Sequence, residues 1–92
     1  MNREKAEVIG LTALGWLVTN EDLLPIFMGA TGASVEDLKQ GANAPEFLGA
    51  VLDFLTMDDA WVIAFCEANT LGFEVPLQAR QMLPGGGQMN WT

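Results

Sequence analysis

Histidine and tyrosine are missing from this 92-residue chain, cysteine and serine occur once each, and Lys and Arg together number four. Each shortage removes something. Without histidine there is no side chain that ordinarily titrates near neutral pH, and no imidazole to hold a transition metal. The single Cys66 rules out an intramolecular disulfide and fits a reducing compartment. Arg3, Lys5, Lys39 and Arg80 are scattered, so no basic cluster is available to neutralise phosphates. Neither nucleic acid nor an anionic membrane surface is therefore an expected partner. No uncharged apolar run reaches the roughly 18 residues of a membrane span. The opening residues MNREKAEVI mix both signs of charge, unlike a signal peptide, and the cytoplasm is the expected location.

What is present is apolar and acidic. Half of the residues are hydrophobic, 17% are charged, and the net charge is −8. The length suits one small domain. Residues 1–84 are expected to form it, with 85–92 a flexible glycine-rich tail. So large an apolar load on so small a body implies that some of it lies at the surface and awaits a partner. The excess acid keeps such a protein soluble, or attracts a basic partner.

Apolar spacing and capping signals predict an all-α fold, a compact bundle of five or six short helices. The first covers 3–18 and becomes apolar almost all round beyond Leu11, as suits a central helix or one half covered by another subunit. The second, near 22–30, has Pro25 in its first turn with Asp22 as N-cap, and ends at Gly32. Ser34 opens a short third helix through a near capping box with Asp37. The fourth begins around Asn43-Ala44-Pro45 and runs to about Thr56. The fifth covers 59–69 and is broken at Gly72, and a sixth follows Pro76 until Pro84. Trp16, Leu17, Phe27, Leu52, Phe54, Leu55, Trp61 and Phe65 are the expected core.

A shift of 38 residues brings Leu-Gly-Trp-Leu (14–17) onto Leu-Asp-Phe-Leu (52–55). The same shift brings Asn20-Glu21 onto Asp58-Asp59, and Phe27 onto Phe65. Two duplicated helix-turn-helix units would produce this correspondence, and so would two independent helical hairpins.

Along the fourth helix, Phe47, Leu48, Val51, Leu52, Phe54 and Leu55 spread over one broad face. Asp53 then falls nearly opposite, in line with Glu46 and beside Gly49 and Ala50. That places Asp53 in solvent. Glu46, Gly49, Ala50 and Asp53 become a candidate partner-contact surface on which two small residues admit a neighbouring helix. In the tail, Met89 and Trp91 form a candidate peptide-like contact. The acidic pairs Glu21-Asp22, Glu36-Asp37 and Asp58-Asp59 each precede or open a helix, where a carboxylate satisfies free N–H groups and opposes the macrodipole. They lack the alternating ligands, central glycine and terminal glutamate of a calcium loop. Cys66 has only Ile63, Ala64 and Phe65 before it, the setting of a buried structural thiol rather than a nucleophile. No catalytic residue, metal ligand or cofactor-binding residue is expected, and no cofactor. An enzymatic or small-molecule role would need an enclosed pocket with convergent polar groups.

Several stretches carry a family resemblance: LTALGWL (11–17), Asp22 to Phe27, Ser34 to Leu38, AVLDFL (50–55), Asp58 to Cys66 and LPGG (83–86). In these the chain resembles a family of small alphaproteobacterial proteins known as a domain of unknown function. AVLDFL ahead of an acidic pair is the most distinctive piece. Pro25 and the Gly-Phe-Glu-Val-Pro connection depart from the family pattern. The resemblance implies a compact helical bundle, and no activity, cofactor or catalytic residue. The expected function is a non-enzymatic protein–protein interaction module whose partner is a second copy or another protein. The alternative is an acidic regulatory adaptor for a basic partner in bacterial signalling.

Overall fold

Asn2 starts the first helix, its side chain accepting the Lys5 N–H at 2.7 Å, so that α1 runs Arg3–Val18. The structure, a computed structural model, describes residues 1–83. The chain continues through α2 (Leu23–Thr31), α3 (Val35–Gly41), α4 (Pro45–Leu55), α5 (Asp59–Asn69) and α6 (Val75–Met82), with no strand among the described residues. The fold is all-α, as composition and spacing led one to expect.

The helix starts show how the acidic pairs are used. Ser34 and Asp37 form a reciprocal capping box at α3, with Ser34 N–H donating to Asp37 Oδ2 at 2.9 Å. Asp58 accepts the Ala60 N–H at 2.8 Å and opens α5. At α2 the N-cap position is Asp22, as expected, but its carboxylate does not do the capping. Asp22 makes no side-chain cap, and Asn20 accepts the N–H groups of Asp22 and Leu23 instead, each at 3.1 Å. An amide oxygen two residues upstream closes a tight Asx turn and satisfies both donors at once.

The end of α5 also differs. Thr70, not Gly72, is the stop: it takes the left-handed conformation at φ 56°, and Leu71 N–H bonds back to Cys66 O. A β-branched residue in that region is strained. Thr70→Gly should therefore stabilise the fold by about 0.5–1 kcal/mol and raise Tm by a few degrees, measurable by thermal circular dichroism.

Three helices, α1, α4 and α6, pack against one another at the centre. A Cβ placed on Gly10 would come within 2.9 Å of Leu48 Cβ, so α1 and α4 cross closely there. The sequence pointed to the second half of α1 as the helix apolar enough to be central. α1 shares the centre with α4, which is the more enclosed of the two, since every residue from Leu48 to Leu55 is buried. The outer helices seal the core with rings. Phe27 of α2 meets Phe54 and Phe47 edge-on at 5.2 and 5.9 Å. From α5, Phe65 meets Trp16 edge-on at 5.6 Å, and Trp61 stacks on Phe54 at 4.7 Å. Of the expected core, Trp16 and Trp61 are half-buried and flank it, while the other six are buried.

The 38-residue offset now has a structural counterpart. Added to the ends of α1 (18) and α2 (31), it gives 56 and 69, against 55 and 69 for α4 and α5. Buried positions recur at the same offset: Gly10 with Leu48, Ala13 with Val51, Leu14 with Leu52, Leu17 with Leu55, and Phe27 with Phe65. Asn20 and Asp58, also 38 apart, close the same kind of turn. The third helices break the correspondence. α6 lies against both α1 and α4, whereas α3 leaves a groove beside α1.

Candidate functional site

The solvent-facing position read for Asp53 is wrong. Asp53 is 7% exposed, and its carboxylate accepts a hydrogen bond from Arg80 Nε of α6 in an ion pair. Gly49 and Ala50 are buried as well, and of the four residues proposed as a contact surface only Glu46 lies exposed. The physical reason is that α4 is covered on nearly every side. Its least apolar face, which an amphipathic reading gives to water, is closed by α6 of the same chain. A carboxylate can be buried there because a guanidinium is brought to it. Arg80 is the residue that sequence reasoning passed over. Its signal was faint: the last helix carries one cation, and α4 carries one acid inside an apolar run.

Met89 and Trp91 of the expected tail contact, and the tail 85–92 itself, lie outside the described residues.

Cys66 is fully buried and donates its S–H to Gly72 O at 3.4 Å. Burial pushes the thiol pKa up, and the Glu74 carboxylate adds to the shift. Such a thiol stays protonated and unreactive at neutral pH. A thiol reagent should therefore label the native protein far more slowly than the urea-unfolded chain. The raised pKa also has a stability consequence. The unfolded chain loses this proton first, near the ordinary value of 9.0. The contribution of Cys66 is thus complete below that pH and is lost as pH rises towards the folded value. The urea midpoint should fall through this range, and less steeply in Cys66→Ala.

Two open grooves lie beside α3. The first, about 470 Å³, lies between α2, α3 and α4 and carries Asp37 and Glu46 with Phe27 and Phe47. Asp37 is already engaged by the cap of α3. The second, about 610 Å³, is apolar. Leu11, Gly15 and Val18 of α1 form one wall, and Leu24 of α2 with Val35 and Lys39 of α3 the other.

The second groove continues a stripe along α1. Val8, Leu11 and Val18 are 57%, 47% and 42% exposed, Gly15 between them is also exposed, and Val35 across the groove is 59% exposed. Positions 8, 11, 15 and 18 are separated by three, four and three residues, the spacing of a seam that packs against another helix. The same stripe moved by 38 positions is Glu46, Gly49, Asp53 and Thr56. Gly49 and Asp53 of that face are enclosed, while their counterparts on α1, Leu11 and Gly15, stand open.

Among the described residues, no three His, Cys, Asp or Glu side chains converge as a metal site requires. No helix among them is long and apolar enough to cross a membrane. Comparison with curated proteins and with solved structures found no match. The family model of DUF3572, described as a protein of unknown function, matches residues 3–86, nearly the whole chain, and the chain belongs to that family.

Proposed function

We propose that this chain is a non-enzymatic protein–protein interaction module of the bacterial cytoplasm, docking through the outer face of α1. The observation that supports this reading is the open apolar stripe at helix-packing spacing, continuous with an apolar groove. Three large aliphatic side chains held in water along one helix cost solvation that a covering partner would return. The chemistry of the rest is sparse. The one thiol is buried and protonated, and the one serine caps α3.

The test is capture of partners by the immobilised full chain, beside a Leu11→Gln, Val18→Gln double variant. Both side chains lie outside the buried core, so the variant should fold. The reading expects retained partners, the second copy included, to be lost with the variant. Identical retention by both proteins would overturn it.

A second reading is an acidic regulatory adaptor in bacterial signalling that holds a basic protein. Two of the four cations are engaged internally, Arg3 with Glu7 and Arg80 with Asp53. Removing those pairs leaves 12 − 2 = 10 acids against 4 − 2 = 2 bases, Lys5 and Lys39. An electrostatic partner would be released by salt, whereas one bound on the α1 stripe would not.

A further inference from the structure

We infer that the occupant of the α1 stripe is a second copy of this chain, its α1 laid antiparallel across a twofold axis. This rests on the interaction-module reading and names the partner. The stripe is self-complementary in that arrangement. With the axis at Ala13, residue i of one copy stands opposite residue 26 − i of the other. Val8 then faces Val18, and Leu11 faces Gly15, so the largest side chain of the seam meets the smallest residue, twice over.

Gly15 is what makes the fit specific. A Cβ at Gly15 would meet nothing within 4 Å in the single chain, in contrast with Gly10, where Leu48 stands in the way. Nothing inside the fold requires a glycine there, and glycine costs a helix interior about 1 kcal/mol relative to alanine. A leucine arriving from a partner helix uses that space.

Charge and area set what such a contact requires. Lys39 lines the same groove as Val18 and Leu24 and makes no ion pair among the described residues. It sets one cation beside the seam, against the net charge of −8 on each copy that opposes self-association. A standard interface buries about 800 Å² per partner. The seam from Val8 to Val18 spans only about 15 Å of helix, too little alone. The groove and the exposed Val35 across it widen the contact. The folded chain exposes 5320 Å² in all, so such a contact takes a modest share.

Sedimentation equilibrium of the full chain tests the inference, with Gly15→Leu as the decisive variant and circular dichroism to establish its fold. The wild type should dimerise. Gly15→Leu should keep its helicity while dimer dissociation rises about 100-fold, because both holes of the twofold contact are filled. Leu11→Gln, altered at an exposed position, should weaken the dimer without touching the core and serves if Gly15→Leu fails to fold. Register is read by oxidative cross-linking: Val8→Cys mixed with Val18→Cys should join into a heterodimer, and Val18→Cys alone should not. A monomeric wild type overturns the inference, as does a dimer indifferent to both variants. A monomer that loses a different captured protein on Leu11→Gln also overturns the second copy, while leaving the interaction module intact.

Discussion

Arg80→Met is expected to destabilise the fold by about 3–5 kcal/mol, the range for removing one partner of a buried ion pair. The substitution keeps much of the arginine's length and apolar stem, so lost packing is a minor part of the cost. What it takes away is the guanidinium donor to Asp53, whose carboxylate stays enclosed between α4 and α6. For a domain of this size the loss corresponds to a fall in Tm of roughly 12–40 °C, seen by calorimetry or circular dichroism. Arg80 is itself half-buried, so the lower part of that range applies. A double variant, Asp53→Leu with Arg80→Met, should recover much of the loss, because an apolar pair leaves no charge behind. A fall below 1 kcal/mol for Arg80→Met would mean the pair does not hold α6 in place.

Phe27→Ala should cost a comparable 3–5 kcal/mol. Phe27 is fully buried, and its ring meets both Phe47 and Phe54 edge-on. Truncation leaves a cavity beneath α2, which touches the rest of the bundle chiefly through this ring and Leu23. Edge-to-face contacts add about 0.5–1.5 kcal/mol each beyond burial, which places this site towards the top of the range. Urea denaturation measures it. Its counterpart at the 38-residue offset, Phe65, is equally buried and faces Trp16 alone among the ring contacts described. Phe65→Ala should therefore cost somewhat less. Equal losses would show that ring geometry adds little to burial.

Helices were legible in this sequence because their ends are written in local chemistry. Ser34 with Asp37, Pro45 and Asp58 each satisfy or remove donors within three residues, and the six spans follow from such signals. At α2 the N-cap position, Asp22, was legible but the accepting side chain was not, because Asn20 and Asp22 both carry an acceptor and only turn geometry chooses between them. Thr70 was missed because nothing local favours it over Gly72 as the left-handed residue.

The rotation of α4 was not legible for a different reason. Apolar residues spread around most of that helix, so periodicity could say which face was least apolar but not whether another element covered it. The partner that buries Asp53 is 27 residues further along the chain, on a helix with no other charge. The offset of 38 held the missing clue. It equates the Gly49–Asp53 face of α4 with the Leu11–Gly15 face of α1, and the open one is on α1. Only the packing of α6, which has no counterpart in α3, decides which of the two remains free.

The central claim is that this open face joins protein to protein, with a second copy as the partner. The most direct measurement is the solution mass of the full chain at micromolar concentration, by light scattering at low and at high salt. Each copy carries a net charge of −8, which opposes self-association and is screened by salt. The account predicts twice the 9.9 kDa chain mass, more fully populated at high salt. A 9.9 kDa particle at both salt concentrations would contradict it.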